Sequence, residues 1–319
     1  MEMPFALKQA AEKLTNGLKQ HEIKEYAGRI SRRYRDKNAP ARSAAGAAES
    51  AAYAVSRMPA TFGAASAVLQ QAAALEGLNP KTMIDAGAGT GAAAWAAACF
   101  FDLESVLCLE RETAMRRAGQ KLSQAGADFF KTPPVWQEFD LVSSPLTQTA
   151  DLVTACYVLN ELDEQNRENV LDKLWRAAKQ ALIIIEPGTP ESFHHIKRFR
   201  SFLIDRGAFI AAPCPHNDAC PDDWCHFGCR VARSKLHRIS KSGSAPFEDE
   251  KFTYLVAARK NHNSVYARIL RRPLIEKGKV TLRLCAPDGI REKTVSKKDG
   301  ELYKKARKAD WGGIFNPTE

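Results

Sequence analysis

TMIDAGAGTG, residues 82–91, is a short apolar strand that reaches an acid at Asp85 and turns through Gly87, Gly89 and Gly91 into the alanine-rich run 92–98. Glycine at such positions leaves the backbone open to a ligand, because a side chain there would block the approach. A phosphate-gripping Walker loop places Lys and then Ser or Thr after its last glycine. Here Ala92, Ala93 and Ala94 follow Gly91, which speaks against nucleotide hydrolysis. A dinucleotide site asks for GxGxxG, whereas this chain offers GAGTG. Around the turn, apolar runs at 82–86, 105–110, 151–158, 181–186 and 252–259 alternate with helical stretches, which predicts an α/β sheet buried on both faces. A third strand is due near 136–142, where the pattern is ambiguous.

An acid followed by GxGxG resembles the cofactor motif of class I S-adenosylmethionine methyltransferases. That resemblance makes Asp85, Gly87, Gly89 and Gly91 candidate cofactor-binding residues. Independent of the glycines, the second strand ends Cys108-Leu109-Glu110, where a carboxylate can accept hydrogen bonds from both hydroxyls of a ribose. Asp140, beyond the third strand, is the candidate for the adenine amine. Methylation of a base amine relies on Asn/Asp-Pro-Pro-aromatic after the fourth strand, and this chain reads Tyr157-Val158-Leu159-Asn160-Glu161-Leu162 there. Methylation of a cytosine carbon needs a cysteine nucleophile. Cys156 is near that place, but among Val153, Ala155 and Val158 it reads as a packed strand residue. Asn160 and Glu161 remain the candidate catalytic residues, since such sheets bind ligands at the carboxyl ends of their strands. They would serve equally to cap the next helix, so catalysis is open.

Four cysteines, Cys214, Cys220, Cys225 and Cys229, fall within APCPHNDACPDDWCHFGCR. Structural zinc sites favour cysteine pairs two to four apart, repeated twice, whereas the spacing here is C-x5-C-x4-C-x3-C with no CxxC. Pro215 and Pro221 each follow a cysteine and stiffen an irregular loop. Four thiolates on such a loop suit an iron–sulfur cluster. Zinc held by three cysteines and His216 or His226 is the alternative. The C-x3-C-x2-C spacing of radical cofactor-cleaving clusters is absent.

At 319 residues the chain exceeds one ordinary core. Its organisation reads as a helical N-terminal region (1–75), an α/β domain (76–260) with a cysteine-rich insertion (211–232), and a β-rich tail (261–319). The front part has helical spacing over 4–35, a linker over 37–48, and a second helical block over 51–75 broken near Pro59. In the tail, 265–270 and 280–285 read as strands and Asp288-Gly289 and Asp299-Gly300 as turns. The formal net charge is +10, and residues 251–319 hold 17 Lys and Arg against 7 Asp and Glu. Such a tail suits neutralisation of phosphates, with Arg268, Arg271, Arg272, Lys277, Lys279 and Arg283 as candidate RNA contacts. Cys99, Cys108 and Cys156 lie in apolar runs and are expected to be buried. No secretory segment and no apolar stretch of about 18 residues is present. The expectation is therefore a cytoplasmic monomer with no membrane partner.

These motifs converge. YAVSRMPATFGAA, IDAGAGTG, LNEL, IIIEPGTP, CPHNDACPDDWCHF and KFTYLVAARK together resemble the methyltransferase-like proteins that assist assembly of the small ribosomal subunit in mitochondria, and their bacterial relatives. The resemblance covers residues 51–285. It implies a class I methyltransferase fold, S-adenosylmethionine, binding to small-subunit ribosomal RNA in the immature subunit, and a four-iron [4Fe-4S] cluster. The leading reading is a protein that binds the cofactor and acts on ribosomal RNA as an rRNA methyltransferase; the alternative is a non-catalytic assembly factor that uses the fold as an RNA scaffold, which the missing Pro-Pro-aromatic sequence favours. The resemblance further implies that Cys214, Cys220 and Cys225 hold the cluster with a distant fourth ligand in an LC-x-x-DG context, matched by Cys285. Cys229 is the departure, and local spacing alone would make it the fourth ligand.

Overall fold

The computed structural model describes residues 2–35, 46–221, 223–241, 244–262 and 267–316; the 37–48 linker falls mostly outside them, as does part of the 265–270 strand. In the N-terminal part, α1 (Phe5–Leu14) and α2 (Gln20–Arg35) are separated by a turn in which Gly17 has φ +90°. The second helical block forms α3 (Ala47–Ser56) and α4 (Met58–Ala73). Pro59 sits in the first turn of α4, where its missing amide proton has no intrahelical partner to lose.

The central region continues with β1 (Thr82–Ala86), α5 (Ala92–Ala98), β2 (Ser105–Glu110), α6 (Thr113–Ser123), β3 (Val135–Glu138), β4 (Ala150–Cys156), α7 (Glu164–Ala177), β5 (Ala178–Pro187) and α8 (Pro190–Ile204). Then come β6 (Phe209–Ala212), β7 (Phe227–Ala232), α9 (Lys235–Ser240) and β8 (Phe247–Ala258). The sheet order is β3-β2-β1-β4-β5-β8-β6. β1 to β5 run parallel, while β8 is antiparallel to both β5 and β6. The order reverses between β1 and β4, so their carboxyl ends open the crevice typical of doubly wound sheets. An antiparallel strand between β5 and β6 is the mark of the class I methyltransferase sheet.

Both faces of this sheet are covered. Ile183 and Ile185 face one apolar core, and Leu182 and Ile184 the other, each nearly inaccessible. Trp95 on α5 is fully buried against Phe129 and Phe130. The neighbouring alanines let that helix lie close to the sheet; burying such a ring stabilises by about 1.5–3 kcal/mol. α4 packs on α5, β7 and β8, so the N-terminal helices add a layer to one face.

β7 was not foreseen. It pairs with the N-terminal half of β8, from Phe227↔Phe252 to Ala232↔Phe247, and draws Cys229 out of the irregular loop into a strand. The tail forms a second sheet from β9 (Arg268–Ile269), β10 (Leu274–Glu276), β11 (Lys279–Ala286) and β12 (Gly289–Ser296), closed by α10 (Glu301–Lys308). Its core comprises Ala267, Ile269, Val280, Leu282, Leu284, Ala286, Val295, Tyr303, Ala306 and Phe315. A core this small stabilises little by itself, which makes its attachment to the rest of the molecule important. Cys108 is buried and Cys156 half-buried, but Cys99 ends α5 at the surface, contrary to expectation.

Candidate functional site

The glycine loop leaves β1 with Gly87, Gly89 and Gly91 at φ +69°, +57° and +87°, a region that L side chains rarely adopt. The Gly87 and Ala88 amides donate to the Leu109 carbonyl at 2.8 and 3.0 Å, pinning the loop to β2. A Cβ on Gly87 would come 2.5 Å from Val158 Cγ2, so the space it leaves is filled by the segment after β4. Asp85 is buried, and its Oδ1 accepts from the Thr154 hydroxyl at 2.7 Å while Oδ2 has no partner. Burial, opposed by the Thr154 hydroxyl and the Ala94 amide, raises its pKa to about 6.

Glu110 sits at the end of β2, as expected for a ribose contact. Its Oε2 accepts from the Gly89 amide at 2.7 Å and its Oε1 from the Glu112 amide at 2.8 Å. Each carboxylate oxygen has a second lone pair available to a hydroxyl donor. Burial raises this carboxyl's pKa, against the pull of those two amides. Asp140 takes the Val142 and Ser143 amides on Oδ1 and pairs with Arg111 at 3.6 Å. Those contacts hold it below its ordinary range and shape the loop at the crevice edge. The adenosyl cofactor is a cation with donor hydroxyls. The unpartnered Asp85 oxygen and the Glu110 carboxylate, both acidic and both at the crevice, suit such a group.

Past β4 the backbone is strained. Tyr157 has φ +59°, the only such non-glycine residue among those described, and its amide donates to the Ile185 carbonyl at 2.7 Å. Its hydroxyl donates to Glu250 Oε1 at 3.0 Å, and Arg57 grips the same carboxylate with two bonds of 3.0 and 2.8 Å. Asn160 does not cap the following helix. Its Nδ2 donates to Ser192 Oγ and its Oδ1 accepts from His195 Nδ1, both at 2.7 Å. Arg167 donates to His195 Nε2, which fits the neutral Nδ1–H ring; burial and Arg167 hold His195 below its usual pKa. Both ends of the Asn160 amide thus anchor α8, and Glu161 beside it is exposed. Glu186, at the end of β5, accepts from the Leu159 and Asn160 amides on Oε1, while its buried Oε2 has no partner. Burial raises it to about 8, which favours the neutral carboxyl near neutral pH.

Cys214, Cys220, Cys225 and Cys285 line one cavity between α8, the cysteine loop and the tail. Burial pushes the Cys225 thiol well up, with the neighbouring Cys214, Cys220 and Cys285 adding to it; Cys285 rises to about 12. Cys229 lies elsewhere. It faces Glu250 across β7 and β8, and a Cβ on Gly63 of α4 would stand 3.2 Å from its Sγ. His226 stacks on Trp224, centroids 3.9 Å apart, while His216 Nε2 approaches Cys285 Sγ at 3.9 Å. Among the described residues, no three His, Cys, Asp or Glu side chains stand close enough to hold one metal ion.

Two buried cations border the thiol cavity. Arg200 is 3% and Arg268 2% exposed. Arg200 donates to the His216 and Asp218 carbonyls and leaves Nε unpartnered. Arg268 donates to Pro213 O, Gln71 Oε1 and Gly312 O, each at 2.8 Å. Neither meets a carboxylate among the described residues, and a buried charge without a counter-charge is costly. Arg200 was readable: Phe193, Ile196, Phe199 and Leu203 mark the inward face of α8, and Arg200 falls on it.

Arg268 is therefore corrected as an RNA contact, because it is enclosed by the fold. Arg271 donates to Asp223 Oδ1 and Trp224 O, Arg283 to Asp223 Oδ2, and Arg272 to Asp249. These residues fasten the tail to the cysteine loop and β8. Lys277 and Lys279 remain on the surface, Lys279 paired with Glu276.

Strand order, glycine turn and terminal acid of β2 together define a protein of the class I methyltransferase fold. Residues 47–316 match the family described as "Mitochondrial small ribosomal subunit Rsm22", and the chain belongs to that family. It is 28% identical to the human "Ribosome assembly protein METTL17, mitochondrial" over 283 residues, covering 82% of this chain and 61% of that protein. "Rsm22-cox11 tandem protein 2, mitochondrial" of Schizosaccharomyces pombe is 27% identical over 219 residues, 52% of this chain and 29% of its own length. The chain thus spans less than two thirds of either relative. Among solved structures, magnesium protoporphyrin IX methyltransferase from Synechocystis is 16% identical with TM-score 0.45, covering 77% of this chain and 99% of that one. An O-methyltransferase family protein from Burkholderia thailandensis is 14% identical with TM-score 0.46, covering 74% and 69%. The cytoplasmic expectation is overturned, since the family description and these relatives are mitochondrial. Among the described residues, no helix is long and apolar enough to cross a membrane.

Proposed function

We propose that the chain is a small-ribosomal-subunit assembly factor that binds S-adenosylmethionine and a [4Fe-4S] cluster and acts on the subunit's RNA. It would work as a monomer, with the helical region 1–75, the methyltransferase-like domain 76–260 and the tail 261–319 as its parts. Asp85, Gly87, Gly89, Gly91, Glu110 and Asp140 would hold the cofactor. Cys214, Cys220, Cys225 and Cys285 would hold the cluster. The carrying observation is the meeting of those four thiols with Arg200 and Arg268, two buried cations whose counter-charge an anionic thiolate cluster would supply. A cluster spreads its thiolates over several irons, so its ligands stand further apart than those of a single zinc. Ligation would close the loop and the tail around one centre and contribute folding free energy.

The non-catalytic form of this reading is favoured by Asn160, whose amide is fully engaged in holding α8. A second reading, rRNA methyltransferase, draws support from the unpartnered oxygens of Asp85 and Glu186 at the crevice. Bound cofactor would supply the methyl group, and these residues would orient it and its acceptor.

Anaerobic purification tests the cluster through iron content and visible absorption. Cys229→Ser should retain full iron and colour, and Cys285→Ser should lose most of both. The reverse pattern, or a colourless iron-free wild type, would overturn the assignment. Labelled cofactor incubated with immature small subunits separates the two forms. Label on RNA that vanishes with Gly87→Arg indicates catalysis, and cofactor retention without transfer indicates a scaffold.

A further inference from the structure

Two sets stand apart among the tail's cations. Arg268, Arg271 and Arg283 are held by carbonyls and Asp223, and Arg272, itself exposed, pairs with Asp249. Lys277, Lys297, Lys298, Lys305, Arg307 and Lys308 are exposed, and no ion pair engages them among the described residues. Residues 297–308 read KKDGELYKKARK, six cations against two acids. Both acids are engaged locally: Asp299 accepts from the Ser296 amide and hydroxyl, and Glu301 from Lys304.

Geometry gathers these cations on one side. Tyr303 and Ala306 of α10 are buried in the tail's core, so helical spacing puts Lys304, Lys305 and Lys308 on the outer face. The Lys297 amide donates to the Gly278 carbonyl at 2.9 Å, which sets the Lys277 turn against the Lys297-Lys298 turn. Two turns and a helix about 12 Å long thus form one cationic surface.

We infer that this surface, formed by Lys277, Lys297, Lys298, Lys305, Arg307 and Lys308, binds the phosphate backbone of double-stranded RNA. The inference rests on the RNA-directed reading above and gives it a location. Three features select the ligand. Unneutralised cations release counterions when they meet phosphates, a gain that paired cations cannot match. The patch offers no exposed aromatic ring, Tyr303 being buried, so it lacks the stacking platform that unpaired bases use. Lysine predominates in it, and protein–protein interfaces are depleted in lysine and enriched in arginine and aromatics.

The test measures binding of the full chain to a short, labelled RNA duplex across a range of salt. Lys297→Glu, Lys298→Glu, Lys305→Glu and Lys308→Glu combined should weaken binding by about tenfold or more near 0.1 M salt. The logarithmic salt slope should become shallower by about one for each cation removed. Glu301→Gln should tighten binding, because it takes an acid out of the outer face and frees Lys304. Lys24→Glu on α2, distant in sequence from the patch, should change neither quantity, and unchanged circular dichroism shows that the combined variant is folded. If that variant keeps the wild-type affinity and slope, the location is wrong although RNA binding stands. Equal affinity for a single-stranded probe overturns the duplex assignment. A wild type that binds no RNA overturns the inference, while the iron measurements on Cys229 and Cys285 are judged independently.

Discussion

Glu186 shows what a single residue's surroundings can do. Its carboxyl is fully buried, two backbone amides engage one oxygen, and burial raises its pKa from 4.5 to about 8. Folding therefore takes up a proton wherever the unfolded carboxyl is ionised and the folded one is not. The stability associated with the neutral carboxyl is fully present below about pH 4.5 and is lost as pH rises through about 8. Glu186→Gln keeps the acceptor for the Leu159 and Asn160 amides but cannot ionise. Its unfolding free energy should fall less than the wild type's between pH 5 and pH 8, by a difference on the order of a few kcal/mol. Parallel pH slopes for the two proteins would show that Glu186 is ionised in the native state. The sequence places Glu186 at a strand end through the apolar run before it. Its unpartnered oxygen was not legible, because the amides that bind the other one come from the turn after a different strand.

Among the elements, the junction of α4 with the β7–β8 ribbon is held by few polar contacts. Arg57 precedes α4 and binds Glu250 of β8, and the same carboxylate accepts from the strained Tyr157 after β4. With Arg57 and Glu250 only 19% and 14% exposed, solvent screening of the pair is modest. A double-mutant cycle of Arg57→Ala and Glu250→Ala in chemical denaturation should give a coupling of about 1–3 kcal/mol. A coupling near zero would mean that Tyr157 and packing hold the junction instead. Element by element, the central strands were readable because a strand buried on both faces is a continuous apolar run. β7 was hidden: FGCRVA carries a glycine and an arginine and gains its strand form only by pairing with the extended end of β8. α10 was likewise missed, since its mostly charged surface leaves only Tyr303 and Ala306 to mark a buried stripe.

At the scale of the whole molecule, the tail is a small sheet whose own core is slight and whose junction runs through the thiol cavity. Asp223, between Cys220 and Cys225, receives Arg271 and Arg283, and Arg268 reaches across to Pro213 and Gln71. If iron completes that junction, removing it with a chelator should speed tryptic release of a C-terminal fragment while the central sheet stays protected in hydrogen exchange. Equal cleavage with and without iron would leave the arginine contacts as the whole of the attachment. Sequence alone determined the sheet class, the glycine turn after the first strand and the acid that ends the second, because strand periodicity and glycine spacing are local properties of the chain. Which cysteines meet, which arginines face inward and which lysines stay in water were decided only by the tertiary structure. Those outcomes depend on contacts between segments tens to hundreds of residues apart, and no local pattern records such contacts.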